Sequence, residues 1–218
     1  MTEHLTDLII GPWTLKLRIP EKIDGVPVYL LLHGWTGNEN SMWVFANKLD
    51  PDALLISPRG LFPSNHPEYG GFSWVEDSKG KWPEREDFGS SITKLTGLLD
   101  ELAVRYPADF HHKNLIGFSQ GSALAGELLF TNPDRIYRLA MLSGFLPEGT
   151  YSSDVNLFNK KIFIGHGTQD VTVPLDKAQQ AGVLFEAAGA MVTRCFTDVG
   201  HRLGAECFRG FNRFFGNG

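Results

Sequence analysis

Hydrophobic positions along the chain follow two periods in turn. Over Trp13–Ile19 the side chains of Trp13, Leu15, Leu17 and Ile19 alternate with Thr14, Lys16 and Arg18, the pattern of a half-buried antiparallel strand. Residues 8–10 read as a strand before it, joined across Gly11-Pro12. Residues 28–32 and 53–57 read as strands buried on both faces, with unbroken apolar runs over 28–32 and 53–56. The first ends in His33-Gly34 and the second at Pro58; residues 41–49 between them read as a short helix. The clearest helix is 87–106, where Phe88, Ile92, Leu95, Leu99, Leu102 and Tyr106 recur at spacings of three and four and Pro107 follows. Further on come strand 114–118, helix 121–130, strands 138–142 and 161–164, helix 175–188 stopped by Gly189, strand 191–196 and helix 205–215.

Strands alternating with helices predict the α/β class, with a mostly parallel twisted sheet covered by helices on both faces. The longest irregular stretch, 58–86, is crowded with Pro, Gly and aromatic residues, and such a loop in a compact domain is usually functional or carries short elements of its own. A length of 218 residues, without repeats or a linker rich in Pro, Gly or Ser, predicts a single domain over 1–218. The net charge of −5, with no basic run, argues against a nucleic-acid partner. No stretch has the ~18 apolar residues of a membrane span. The N-terminal residues carry Glu3 and Asp7 and lack the basic start of a secretory signal, so a cytoplasmic location is expected. Cys195 falls in a strand-like stretch and Cys207 in a helical one; nothing in the sequence favours a bridge, and two reduced thiols are expected.

The chemistry begins at Gly117-Phe118-Ser119-Gln120-Gly121, a G-x-S-x-G pentapeptide that follows a buried strand and opens a helix. That is the setting of a nucleophile elbow, a sharp turn that exposes the serine hydroxyl. Small residues follow it, Ser122, Ala123, Ala125 and Gly126, and let the helix pack close to the sheet. A serine nucleophile needs a base, and the base needs an orienting acid. After Ser119, two loops that each follow a strand supply them: Asp170 in His166-Gly167-Thr168-Gln169-Asp170, and His201 in Val199-Gly200-His201. His166 is the rival base, but it precedes Asp170 and breaks the order Ser, acid, His; a structural role is expected for it. Asp198 is the rival acid, and Asp176 sits where a helix dipole favours a carboxylate. His111 and His112 read as solvated loop residues, and no Cys or carboxylate cluster near them has metal-ligand spacing. The loop His33-Gly34-Trp35-Thr36-Gly37 is placed to supply a second oxyanion donor. The Trp35 N–H would pair with that of Gln120, with Thr36 as the alternative and His33 as a structural histidine.

These segments resemble the α/β-hydrolase superfamily and, within it, the phospholipase/carboxylesterase family that includes the acyl-protein thioesterases. The likeness is carried by Leu31-Leu32-His33-Gly34, Ser57-Pro58-Arg59-Gly60, Gly71-Phe72-Ser73-Trp74, the Gly-Phe-Ser-Gln-Gly elbow, His166 to Asp170 with Val173-Pro174, and Gly200-His201. The resemblance implies an α/β-hydrolase fold and a cofactor-free serine carboxylesterase with the triad Ser119, Asp170 and His201, acting on a small-molecule ester as a monomer or homodimer. Where the thioesterase branch has small residues after His-Gly, this chain has Trp35 and Thr36, which argues against long-acyl substrates.

Residues 143–160 are too few for a cap domain, so Trp35, Phe62, Phe72, Trp74, Trp82, Phe145 and Leu146 are the expected walls of an apolar site for small uncharged esters with short-acyl or aryl groups. Of these, Trp35, Phe72, Trp74 and Phe145 are the chosen substrate-binding residues. A lysophospholipase or acyl thioesterase, a serine peptidase and a non-catalytic hydrolase-fold binder are the alternatives. Fluorophosphonate labelling separates the last from the hydrolases, and an ester, thioester and amide panel separates the rest.

Overall fold

The computed structural model describes residues 4–66, 68–76 and 82–216, so residues 77–81 of the long irregular stretch and Glu3 of the N-terminal segment lie outside the described residues. The chain opens with a hairpin, β1 (His4–Ile10) and β2 (Trp13–Ile19), and continues with β3 (Pro27–Leu32) and β4 (Leu54–Pro58). A small hairpin follows, β5 (Phe62–Pro63) with β6 (Phe72–Ser73), then α1 (Gly89–Arg105), β7 (Asp109–Phe118) and α2 (Gln120–Thr131). The last elements are β8 (Ile136–Leu142), β9 (Lys161–Gly167), α3 (Leu175–Ala187), β10 (Met191–Thr197) and α4 (Ala205–Phe215).

The main sheet has eight strands in the order β1-β2-β4-β3-β7-β8-β9-β10. β2 is antiparallel to β1 and to β4, and every other neighbouring pair is parallel. The unbroken apolar runs are explained by this burial. In β3, Val28, Leu30 and Leu32 face one core while Tyr29 and Leu31 face the other. The first core is closed by α1, α2 and α3 through Leu95, Leu99, Leu102, Leu124, Leu128, Ala178 and Phe185. The second is closed by α4 and a short 3-10 turn at Trp43–Lys48, through Phe45, Phe211 and Phe215. α4 is amphipathic in the simplest way, since Cys207, Phe211 and Phe215 fall four residues apart and are its buried positions. This is the layout of an α/β-hydrolase.

The structure departs from the sequence expectation at three places. Residues 41–49 form a six-residue 3-10 turn rather than an α-helix, the geometry a short connector favours. The 58–86 stretch does carry a short element of its own, the β5–β6 hairpin, whose two-residue strands are too short to show alternation. His111 and His112 lie in β7, exposed at its start, rather than in a loop. Finally, Cys195 and Cys207 are joined by a disulfide, with Cα atoms 5.4 Å apart, which overturns the expectation of reduced thiols. They meet because the 198–204 turn reverses the chain, so α4 runs back across the face of β10 that Cys195 occupies.

Parallel strands share a direction, so the segments that follow β3, β4, β7, β8, β9 and β10 gather along one edge of the sheet. All the residues expected to carry chemistry lie on that edge.

Candidate active site

The turn between β7 and α2 places Ser119 at φ 52° and ψ −119°, a strained conformation for a residue with a side chain. Its neighbours fix it there. The Ser119 N–H donates to the Leu142 carbonyl at 2.9 Å, and the Ser119 carbonyl accepts from Ser122 and Ala123. Ser122 Oγ in turn donates to the Gly117 carbonyl at 2.7 Å. A side chain on Gly117 would strike the Gly121 carbonyl, and one on Gly121 would strike the carbonyl of Leu32, so both positions require glycine.

Asp170 and His201 arrive from the ends of β9 and β10. Asp170 is buried, and its Oδ1 accepts the N–H groups of Thr172 and Val173, each at 2.9 Å. Its Oδ2 lies 2.7 Å from His201 Nδ1. An imidazole that donates from Nδ1 leaves Nε2 free to accept a proton. The Phe118 ring packs on His201 at 5.0 Å between centroids. Ser119 Oγ and His201 make no hydrogen bond among the described residues, and such contacts are often loose until substrate is bound.

The rivals take other places. His166 is fully buried beneath Asp170, with Nε2 donating to the Val173 carbonyl at 2.8 Å and lying 3.4 Å from Asp170 Oδ2. Burial holds its pKa below the usual histidine value, so it is neutral there. Asp198 is exposed and accepts a long bond from Thr168 at 3.4 Å.

In the loop after β3, His33 Nδ1 donates to the Gly34 carbonyl at 2.7 Å and Nε2 accepts from the Gly60 N–H at 2.8 Å. Burial pushes its pKa down to about 4, so His33 is a neutral brace. Thr36 N–H donates to the Phe72 carbonyl at 3.0 Å and is therefore committed. The N–H groups of Trp35 and Gln120 have no backbone acceptor among the described residues. Gly34 brings this loop against Ser119, since a Cβ added there would lie 3.3 Å from Ser119 Cβ.

Two supports were invisible in the sequence. The Gln120 side chain reaches across to the β6 segment, its Oε1 accepting from the Trp74 N–H at 3.0 Å and its Nε2 donating to Ser73 Oγ at 3.1 Å. Arg59 grips Glu39 with two hydrogen bonds of 2.7 and 2.9 Å and stacks 4.6 Å over the Phe72 ring. That pairing holds the Glu39 carboxyl below its ordinary pKa. The only sequence signals were an unassigned acid and base in two loops.

The expected wall residues divide. Trp35 is half exposed, with its indole N–H on the Ser64 carbonyl at 3.0 Å, and Phe72 is half buried. Trp74 is fully buried, its indole N–H donating to the His33 carbonyl at 2.7 Å, so it lies under the loop rather than on the wall of the site. Phe145 is mostly buried and packs edge-on against Trp82, with centroids 4.8 Å apart. No helix among the described residues is long and apolar enough to cross a membrane.

The comparisons with known proteins agree with this layout. The model of the phospholipase/carboxylesterase family matches residues 21–215. The Bacillus subtilis protein MhqD, whose name describes it only as a hydrolase, is 27% identical over 188 residues, covering 85% of this chain and 90% of MhqD. Acyl-protein thioesterase 1 of Kluyveromyces lactis is 29% identical, covering 73% of this chain and 76% of the thioesterase. The crystal structure of a Bacillus cereus carboxylesterase superposes with a TM-score of 0.82 at 26% identity, covering 94% of each chain. A Mesorhizobium loti carboxylesterase, at 20% identity and a TM-score of 0.83, shares the fold over 99% of this chain and 100% of its own. With the family model matched over residues 21–215, the chain belongs to the phospholipase/carboxylesterase family of hydrolases.

Proposed function

We propose that the protein is a serine carboxylesterase that hydrolyses small carboxylic esters with short-acyl or aryl groups through an acyl-enzyme. The observation that carries the reading is the convergence of a serine at φ 52° on a strand-to-helix turn with an Asp170–His201 pair 2.7 Å apart on the same sheet edge. His201 Nε2 takes the Ser119 proton, and Ser119 Oγ attacks the ester carbonyl. The N–H groups of Trp35 and Gln120 receive the developing oxyanion, each donor worth about 10²–10³ in rate. His201 then gives its proton to the leaving alcohol as the C–O bond breaks. Water, deprotonated by His201, attacks the acyl group and releases Ser119. Asp170 holds the imidazole in the tautomer this requires. We assign the Trp82–Phe145 contact to the acyl side, where an aromatic wall would favour small acyl groups.

The test pairs labelling with turnover. Ser119→Ala is expected to lower ester hydrolysis by about 10⁴–10⁶ without lowering the melting temperature. It should also abolish covalent labelling by a fluorophosphonate. A variant that still hydrolyses p-nitrophenyl acetate at the wild-type rate, or still takes up the label, overturns the assignment. A panel of p-nitrophenyl esters from acetate to palmitate, with a thioester and an aminoacyl amide beside it, reads the acyl preference, which is expected to fall at the long chains.

A further inference from the structure

A cavity of about 410 Å³ opens beside the elbow and takes no part in the steps above. Its size is within the range of small-molecule sites, about 300–1,000 Å³. One wall is the oxyanion turn at Trp35, a second is the 3-10 turn with Val44 and Phe45, and the third is Phe118 with Arg202 and Leu203. The body of the cavity is apolar. At its edge stands Arg202, exposed, whose guanidinium makes no ion pair among the described residues.

The chemistry of acyl transfer orients a substrate against these walls. The tetrahedral carbon on Ser119 carries the oxyanion, the acyl group and the leaving oxygen. The oxyanion faces the Trp35 and Gln120 N–H groups. The leaving oxygen must face His201, which donates its proton there. Arg202 and Leu203 directly follow His201, and Phe118 packs on its ring at 5.0 Å. The cavity shares Phe118 with that packing and Arg202 and Leu203 with the loop of His201, which puts it on the side of the leaving oxygen.

Resting on the serine-esterase reading, we infer that this cavity holds the alcohol half of the ester and that Arg202 selects an alcohol or phenol bearing an anionic group. The uncharged ester expected from the sequence is then neutral only in its acyl half. When the C–O bond breaks, its electron pair stays on the leaving oxygen, which takes the His201 proton and departs as a hydroxyl. The anionic group remains ionised throughout and keeps its contact with Arg202.

The experiment compares phenyl acetate with 3-acetoxybenzoate, which share the acyl group and differ by one carboxylate on the leaving phenol. The ratio of their kcat/KM values is expected to fall about two- to fivefold in Arg202→Ala, the scale of a solvent-exposed ion pair, and further in Arg202→Glu. Val44→Trp, at a position 65% exposed and therefore tolerant of change, is expected to lower kcat/KM more as the alcohol grows. It should leave the hydrolysis rate of the acetyl-enzyme unchanged in stopped flow, because the alcohol has already left. An unaltered alcohol preference in the Arg202 variants overturns the inference. So does a Val44→Trp enzyme with altered acyl-length preference or altered acetyl-enzyme hydrolysis. A wild-type enzyme that forms no acetyl-enzyme overturns the serine-esterase reading as well, whereas a normal burst with unchanged alcohol preference sinks this inference alone.

Discussion

Gly71 sets how closely the β5–β6 hairpin approaches the oxyanion turn, and replacing it by alanine separates two effects that usually travel together. Its φ is +80°, and a Cβ there would sit 2.0 Å from the Thr36 carbonyl oxygen. Thr36 is held to the hairpin through its own N–H on the Phe72 carbonyl, and Phe72 N–H returns to the Gly37 carbonyl, both at 3.0 Å. To restore van der Waals contact the turn must retreat by roughly 1 Å, and a misplacement of that size next to a reacting centre costs about 10² in rate. That is about 2.7 kcal/mol of transition-state stabilisation. The left-handed backbone adds about 1–2 kcal/mol of lost stability, and the collision about 1–3 more. Gly70 is the control. It also has positive φ, at +57°, but a Cβ there meets nothing within 4 Å. Gly70→Ala should therefore lose about 1–2 kcal/mol of stability and keep its kcat. Gly71→Ala should lose more stability and about 10² in kcat. The assay is kcat and KM on a short-chain p-nitrophenyl ester, beside urea denaturation of all three proteins. Equal kcat values in the two variants would refute the claim that the hairpin positions the oxyanion donor.

Two further outcomes concern stability. Burial holds the His33 pKa at about 4, against the usual histidine value of 6.5, so between those pH values the unfolded chain binds a proton that the native protein does not. Stability therefore rises with pH through that window, and about 3 kcal/mol is lost on acidification from pH 7 to below pH 4. His166 acts in the same direction. Urea unfolding at steps across this range should show a steeper acid loss in the wild type than in His33→Gln; identical pH slopes would show that His33 is not buried neutral. The Cys195–Cys207 bridge closes a segment with a sequence separation of 12, so reduction should cost about 3 kcal/mol by the loop-entropy relation. Denaturation midpoints with and without reductant check this, and coincident curves under full reduction would contradict it.

The fold was legible wherever burial is two-sided or strictly alternating. β3, β4, β8 and β9 announce themselves as apolar runs because helices cover both sheet faces. β2 announces itself by alternation, which its burial follows from Trp13 to Leu17 and loses at Arg18, itself buried. The elements that were missed gain their structure from contacts distant in sequence. β5 and β6 pair over two residues each, too few for any period. The disulfide depends on the path of the 198–204 turn, and neither a spacing of 12 residues nor the flanking residue types encodes that reversal.

The site divides along the same line. Ser119, Asp170 and His201 could be placed because each chemical role restricts residue type and the sheet topology restricts position to the ends of parallel strands. The groups that hold them have no such restriction. The sequence assigns a role to the Gln120 N–H but none to its side chain, yet that amide ties the elbow to Ser73 and Trp74. Trp74 looks like a wall aromatic, yet its indole N–H is spent on the His33 carbonyl, in a region with no exposure. An aromatic in a loop can serve a ligand or a backbone carbonyl, and only the fold decides which. The same ambiguity works in the other direction for Arg202. In the sequence it is one charge beside a histidine; in the structure it lines an apolar cavity and makes no ion pair among the described residues. If Arg202 selects the alcohol as inferred, specificity in this architecture resides in residues whose types carry no chemical signature, and it is read from which of their polar groups the fold has left uncommitted.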